Sequence, residues 1–278
     1  MINLKINKLY LKAVILNELP KNDITYLYTK VKQNKFIKIP NIVFQTWEDN
    51  KLGKTHLKEL EKFRNLNSDY TFKFFNKDQR DDYMRTNYSN HPIHEIYQKV
   101  NFGASKVDIF RYCLLLKEGG WYFDINKGVK IPLRDISQFD DEAVISFEKN
   151  LTKNYFAQKP PKKIINKLQY PKNTLFQWGF GFKKNHPLLK EVIANIVEDY
   201  PNYKGKRLTN IQKGVLDFTA TFKWTKTIWS VIEKNPKIKI RQCGIDFYGQ
   251  GYYIMKGSWS RYLKSPSYIG MKDKILVD

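Results

Sequence analysis

The chain has 278 residues, of which 42% are hydrophobic and 15% aromatic. This composition can bury the core of one α/β domain and excludes a disordered chain. Forty-nine Lys and Arg against 27 Asp and Glu give a formal net charge of +22, which favours anionic partners: phosphorylated small molecules, an anionic membrane face or nucleic acid. Two cysteines, Cys113 and Cys243, are too few for a disulfide framework and fit a reducing, cytoplasmic compartment. No stretch reaches the roughly 20 apolar residues of a membrane span.

Domain organisation follows from where the pattern becomes regular. Residues 1–37 are mixed in pattern, and we expect an N-terminal extension packed on the main domain. From residue 38 onward, hydrophobic periodicity is clear, so residues 38–278 are expected to form a single domain.

The first elements of this domain alternate between strand and helix. The apolar run at residues 42–44, continued by Gln45-Thr46-Trp47, predicts a buried strand. Thr55 is expected to cap a helix, the alternation at residues 70–74 predicts a second strand, and Asp78 is expected to open a short helix. This rhythm favours a parallel or mixed sheet with helices on both faces.

A longer helix is expected next, from about residue 94 to residue 117, and Gly119 should end it. The strand at residues 121–123 then ends at Asp124-Ile125-Asn126. Ligands of open α/β sheets bind beyond the carboxyl ends of strands, so residues 124–126 are well placed for binding.

The remaining elements are weaker in pattern. They are expected as a strand at 144–147, an irregular excursion at 150–175, an amphipathic helix at 188–197, a basic helix at 208–233 and a strand at 237–242.

Three polar features stand out as a candidate site. Asp108 and Arg111 are three residues apart on one helix and therefore share a face. Asp124 follows a strand, and a Gly-Ser-Trp sequence at 257–259 lies near the C-terminus. Each has a structural alternative, because a pair at this spacing is often a surface salt bridge and an Asp after a strand is often a turn residue. A carboxylate, an arginine and aromatic rings are also what a nucleotide-sugar site requires.

These residues lie within a longer resemblance. The string ASKVDIFRYCLLLKEGGWYFDIN at 104–126 resembles the signature of family thirty-two glycosyltransferases, the DxD sugar-binding proteins that include fungal initiating mannosyltransferases and bacterial capsular-polysaccharide enzymes. The same pattern occurs in the glucosyltransferase domains of large clostridial toxins. The stretches at 39–47, 179–189 and 257–259 are similar to flanking parts of that family, so the resemblance covers about residues 38–260.

The resemblance implies a Rossmann-like GT-A fold with a mixed, mostly parallel sheet. It also implies retaining transfer of a hexose from a UDP- or GDP-sugar to a glycan or lipid-linked acceptor. Asp108, Arg111 and Asp124 would be the catalytic residues. The donor-binding residues that it implies are Gln45, Trp47, Asp108, Arg111, Gly120, Asp124, Asn126, Ser258 and Trp259.

The chain departs from the family pattern at its expected metal site. Asn126 stands where the family usually carries a second aspartate that binds Mn²⁺, and Tyr253-Ile254 stand where many relatives have histidines. Mn²⁺ or Mg²⁺ would be held by Asp124 and Asn126, and a neutral amide weakens such a site, so we expect weak or absent metal dependence. Nearby lysines could neutralise the diphosphate instead, although they could equally be ordinary surface residues: Lys127, Lys256 and Lys223.

Other interpretations stay open from the sequence. The altered metal site fits an inactive homologue that still binds nucleotide sugar or glycan. The net charge of +22 fits a nucleic-acid-binding protein, but there is no zinc-finger spacing or RNP-like motif, so we rank this last. Peripheral contact with an anionic membrane would explain the charge equally well. Residues 219–221 stand where relatives often have a Gly-Pro turn, which leaves the acceptor-side loop unpredicted.

Overall fold

The computed structural model describes residues 14–27, 31–32, 37–149, 159–252, 254–264 and 267–278. Its centre is a six-stranded mixed sheet. The strands are β1 (Ile42–Thr46), β2 (Thr71–Phe75), β3 (Gly120–Phe123), β4 (Ala143–Phe147), β5 (Gly179–Phe182) and β6 (Arg241–Ile245).

The sheet order is β6-β4-β5-β3-β1-β2. Only β5 runs antiparallel to its neighbours in this sheet, while the β1–β2, β1–β3 and β4–β6 pairs are parallel. The carboxyl ends of β1, β3 and β4 therefore meet at one edge of the sheet, which places Trp47 and Asp124 at the same edge.

Seven helices of eight or more residues surround this sheet in the described ranges. They are α1 (Lys54–Leu66), α2 (Lys77–Tyr88), α3 (Pro92–Lys99), α4 (Gly103–Glu118), α5 (Pro187–Tyr203), α6 (Ile211–Phe218) and α7 (Thr221–Lys234). Short helical turns are Thr25–Leu27, Leu133–Ile136, Lys162–Lys167, Asp246–Gly249 and Ser258–Leu263. Two-residue strands pair Asn22–Asp23 with Lys51–Leu52, Gly128–Val129 with Gly251–Tyr252, and Arg207–Leu208 with Lys274–Ile275.

The strands divide their side chains between two cores. Val43 and Trp121 point into a core that α1 covers, whereas their neighbours Phe44 and Tyr122 point into a second core with α4. This period of two is the normal alternation of side chains along a β-strand. The predicted α/β fold, a mostly parallel sheet with helices on both faces, is confirmed.

Two long helices predicted from the sequence are each divided in the structure. The prediction of one helix over 94–117 was wrong, because Val100 leaves the helical conformation and forms a β-bridge with Val277. The predicted helix at 208–233 is likewise split, since Thr219 and Ala220 are non-helical between α6 and α7. Hydrophobic periodicity continues across both breaks and hides them.

Two element ends also differ from the prediction. Gly53, not Thr55, is the N-cap residue of α1, because the Thr55 hydroxyl donates to the carboxylate of Glu18 at 2.5 Å. The last strand of the central sheet lies at Arg241–Ile245 rather than 237–242, and it pairs with β4.

Residues 14–27 lie against the main domain through the Glu18–Thr55 contact and the pairing of Asn22 with Leu52. Residues 1–13 of the predicted extension and residues 150–158 of the predicted excursion lie outside the described residues. No helix in the described ranges is long and apolar enough to cross a membrane.

Candidate active site

An ion network joins α4 to the carboxyl end of β3. The Nη2 atom of Arg111 lies 3.2 Å from Oδ1 of Asp108 and 3.2 Å from Oδ1 of Asp124. The side chains of Asp108 and Arg111 are only 5% and 6% exposed, while that of Asp124 is 29% exposed. The three predicted catalytic residues therefore form one cluster that opens to solvent at Asp124.

The Arg111 guanidinium is held on several sides. Its Nη1 donates to the carbonyl oxygen of Gln177 at 2.6 Å, and its centre lies 4.5 Å from the centroid of the Tyr122 ring. The Tyr122 hydroxyl donates to Oδ1 of Asp124 at 2.9 Å. Such a fixed guanidinium is pre-organised, so it costs little reorganisation when a ligand binds.

Asp108 is fixed from a different part of the chain. The Thr219 hydroxyl, between α6 and α7, donates to its Oδ2 at 2.9 Å. The Gln177 amide donates to the Tyr112 hydroxyl at 2.6 Å and to the carbonyl of Thr219 at 3.1 Å. A residue in the break between α6 and α7 thus positions a site residue.

Burial and charge oppose one another in this network. Burial raises the pKa of Asp108 to about 6, although Arg111 and Thr219 both act to lower it. Burial acts to lower the pKa of Arg111, but Tyr122, Asp124 and Asp108 outweigh it and leave that pKa above its usual value. Arg111 therefore stays charged, and Asp108 is ionised above about pH 6.

The Asp124 turn is tied to the C-terminal loop. Lys127 N donates to the carbonyl of Asp124 at 2.8 Å, and Met255 N donates to the carbonyl of Asn126 at 2.9 Å. The Lys127 ammonium lies 5.3 Å from the centroid of Trp178. Burial lowers the pKa of Lys127, while Asp124 and Glu148 act to raise it. Lys127 is thus a cation close to the ion network.

The Gly-Ser-Trp loop packs against the start of α1. Gly257 has a φ of 73°, and a Cβ there would lie 2.7 Å from Cβ of Thr55, so the close approach requires glycine. Ser258 is buried, and Trp259 is 46% exposed. The loop leads into the helical turn Ser258–Leu263, which carries a residue that we did not predict, Arg261.

Arg261 lies against an aromatic residue of the predicted site. Its guanidinium is 4.4 Å from the centroid of Trp47, which follows β1, and 5.2 Å from the centroid of Tyr262. Trp47 and Tyr262 contact each other edge to face at 6.1 Å. Trp47, one of the predicted donor-binding residues, therefore has a cation on the face of its ring.

Some predicted site residues are placed elsewhere. Gln45 is fully buried, and its Oε1 accepts from Arg64 Nη2 at 3.1 Å. Gly120 begins β3, at the end of the strand away from Asp124, where a Cβ would lie 2.8 Å from the carbonyl oxygen of Ile42. Lys256 is exposed, and the ammonium of Lys223 is bound by the carboxylate of Asp199.

Sequence reasoning missed four residues of this site: Tyr122, Gln177, Thr219 and Arg261. Tyr122 lies within the string that carried the resemblance, and Thr219 lies in the segment noted as a departure from the family. Arg261 follows the Gly-Ser-Trp sequence by two residues, which was a usable signal. Nothing local distinguishes Gln177, which acts from a loop before β5.

Comparisons with known proteins agree with this geometry. The family described as "Glycosyltransferase sugar-binding region containing DXD motif" matches residues 53–145, which include Asp108, Arg111 and Asp124. The solved structure of the "PaToxG Glycosyltransferase" superposes with a TM-score of 0.50 and 15% identity, covering 72% of this chain and 71% of that one. At this identity the superposition shows the shared fold.

Two fungal relatives match most of the chain. An "Initiation-specific alpha-1,6-mannosyltransferase" of Candida albicans is 26% identical over 256 residues, 86% of this chain and 62% of that protein. "Inositol phosphoceramide mannosyltransferase 3" of Schizosaccharomyces pombe is 23% identical over 207 residues, 74% of this chain and 49% of that protein. The chain thus spans about half to three fifths of the length of these relatives. Residues 53–145 are therefore similar to a glycosyltransferase sugar-binding region containing the DXD motif, and they lie on an α/β fold of the GT-A class.

Proposed function

We propose that the protein transfers a hexose from a UDP- or GDP-sugar to a glycan or lipid-linked acceptor, with retention of anomeric configuration. The observation that carries this proposal is the ion network of Asp108, Arg111 and Asp124 at the carboxyl edge of the sheet. This edge is where open α/β sheets bind nucleotides. Because both relatives named above are mannosyltransferases, GDP-mannose is the first donor to test.

The buried carboxylate of Asp108 would accept hydrogen bonds from hydroxyls of the donor sugar. Arg111 would hold Asp108 and Asp124 in one arrangement, since its guanidinium contacts both. Asp124, the most exposed member, would contact the ribose. Binding in a fixed, partly buried site orients the donor and limits attack by water.

Retention follows if both partners react on one face of the sugar. The bond between the anomeric carbon and the phosphate oxygen breaks, and a bond from that carbon to the acceptor hydroxyl oxygen forms. The departing phosphate oxygen takes the hydroxyl proton, so no protein base is required. The protein's part is to stabilise the negative charge that grows on the diphosphate.

The direct test is donor hydrolysis by the purified protein with a panel of UDP- and GDP-hexoses. We expect one donor to be hydrolysed selectively, and proton NMR of the early product should show the anomeric configuration of the donor. An inverted product would overturn retention. If a donor raises the melting temperature but is never cleaved, with or without acceptor glycans, the protein is an inactive nucleotide-sugar-binding homologue instead.

The acceptor and the site of action are also proposals. A cytoplasmic protein with a net charge of +22 would meet a lipid-linked acceptor at an anionic membrane face. Trp259, Tyr262 and Leu263 are each more than two fifths exposed near the site, and Lys264 follows them. Co-sedimentation with vesicles containing phosphatidylglycerol, compared with phosphatidylcholine alone, tests this contact. If the protein binds neither kind of vesicle, the acceptor would be limited to soluble glycans.

A further inference from the structure

We propose that Arg261 is the cation that binds the donor diphosphate, and that nucleotide binding by this chain does not require a divalent metal ion. The inference rests on the proposed function, because it assumes a nucleoside-diphosphate donor. It assigns a specific side chain to a role that the sequence left to lysines.

Arg261 lies at the edge of the sheet that carries the ion network. Trp47, whose ring lies beneath its guanidinium, directly follows β1, and Asp124 directly follows the neighbouring parallel strand β3. Asp124 and Tyr122 are both close enough to act on the charge of Arg261. A ligand that contacts the exposed side of Asp124 would therefore also reach the surroundings of Arg261.

The guanidinium of Arg261 is buried without a carboxylate partner. The residue is only 4% exposed, yet no carboxylate of the described residues lies within 4.0 Å of its nitrogens. Its Nε donates to the carbonyl of Ser258 at 2.8 Å, which fixes the side chain and turns the planar end toward Trp47 and Tyr262. Burial lowers its pKa, and Tyr262 and Asp124 only partly offset this.

This electrostatic situation favours an anion. Arginine stays protonated in proteins, so Arg261 is a buried positive charge. Such a charge is costly until it is paired, and bidentate contact with phosphate oxygens is the pairing that its fork of donors suits best. A second cation supports the same ligand, because Lys127 is close enough for Arg261 to lower its pKa.

His56, which also lies near Arg261, carries no charge at physiological pH. Its Nε2 lies 3.0 Å from the carbonyl oxygen of Ile125. Burial, aided by Arg261, lowers its pKa to about 3, so the imidazole is neutral at physiological pH. Arg261 and Lys127 are thus two cations that lie near a neutral imidazole and near the carboxylate of Asp124. Arg111 already contacts that carboxylate.

The residues at the expected metal position do not fit a divalent cation. Oδ1 of Asp124 is already contacted by Arg111 and by the Tyr122 hydroxyl. Asn126 offers a neutral oxygen in place of a carboxylate. Across the described ranges, no group of three or more His, Cys, Asp or Glu side chains could hold a metal ion. Arg261 and Lys127 would also repel a cation placed beside Asp124.

The test is calorimetric titration of the purified chain with UDP and with GDP, in EDTA and in MnCl₂. Uridine and guanosine serve as ligands that lack the diphosphate. For the nucleotide that binds, we expect the same affinity in both buffers. Arg261→Gln should weaken that affinity about 10- to 100-fold and leave nucleoside affinity unchanged, because one charge-assisted contact is lost.

Two further variants make the result decisive. Arg85→Gln removes an arginine of α2 whose side chain is 68% exposed and whose ion pair is with Asp82, and it should leave binding unchanged. Arg261→Lys keeps the charge without the bidentate fork, and we expect about a tenfold loss. Undiminished nucleotide affinity in either folded Arg261 variant overturns the proposal, and so does loss of wild-type binding in EDTA. If UDP, GDP and their sugars all fail to bind the wild type in either buffer, the proposed function itself fails.

Discussion

Nη2 of Arg111 lies 3.2 Å from Oδ1 of Asp124, and this contact fastens the middle of a buried helix to the end of a central strand. The same nitrogen lies 3.2 Å from Oδ1 of Asp108, so one guanidinium forms ion pairs with two carboxylates. Structure and chemistry are therefore linked at this point: a change at Arg111 disturbs both the packing of α4 on the sheet and the candidate donor site.

Arg111→Gln should lower the free energy of unfolding by about 3–5 kcal/mol, because it leaves the buried carboxylate of Asp108 and the partly buried one of Asp124 without their cation. Urea denaturation followed by circular dichroism measures this. Arg85→Gln removes the exposed pair with Asp82 and should cost no more than about 1 kcal/mol. Equal, small losses in both variants would show that the network contributes nothing to stability.

Asp108→Asn should reduce donor hydrolysis and transfer by roughly 10²- to 10³-fold, since the amide replaces a charged acceptor of sugar hydroxyl hydrogen bonds. The measurement is the initial rate with the donor identified by the panel. Asp82→Asn is the matched control, because Asp82 is 69% exposed on α2. Full activity of folded Asp108→Asn protein would remove Asp108 from the site.

Donor affinity should rise as the pH is raised through about 6, because burial raises the pKa of Asp108 to about 6 and only the ionised form accepts hydrogen bonds on both oxygens. The sign for stability is opposite. The folded state holds this proton more tightly than the unfolded state, whose value is near 3.8, so this group's contribution to stability falls as pH rises from about 4 to 6. Both trends should vanish in Asp108→Asn, and a donor-affinity profile that Asp108→Asn leaves unaltered would assign the titration to another group.

Gly257→Ala should displace the loop that carries Ser258 and Arg261. Its Cβ would lie 2.7 Å from Thr55 Cβ and 2.8 Å from the backbone nitrogen of His56. Gly270→Ala is the matched control, because Gly270 also has a positive φ but nothing lies within 4 Å of the added Cβ. Both substitutions should lower the free energy of unfolding by about 1–2 kcal/mol because of the backbone conformation. Only Gly257→Ala should lower it by a further 1–3 kcal/mol or so, because of the close contacts, and should weaken nucleotide binding. Similar melting temperatures for the two would argue against tight docking of the loop.

Asn126→Asp should increase the response to Mn²⁺, because it restores a second carboxylate next to Asp124. We expect a larger Mn²⁺-induced rise in melting temperature than in the wild type, with Asn90→Asp, an exposed position, as the control. An identical response in all three proteins would count against the argument that the neutral amide of Asn126 weakens the metal site.

Local pattern was enough to predict much of the framework. The apolar run at residues 42–44 and the alternation at residues 70–74 predicted β1 and β2, and Gly119, with a φ of 68°, ended α4 as expected. The pairing of Asp108 with Arg111 followed from helical spacing alone, and the position of Asp124 at a strand end followed from the order of the elements. Each of these features depends on neighbours within a few residues along the chain.

Features that depend on residues far apart in the sequence could not be predicted from local pattern. The break at Val100 depends on a bridge to Val277, the contact that fixes Asp108 comes from Thr219, and the cation over Trp47 comes from Arg261. Local pattern along the chain thus predicted most of the strands and helices and the polar residues of the candidate site. Which of these residues share an environment became visible in the fold, because burial, ion pairing and pKa depend on distances in space that periodicity along the chain does not encode.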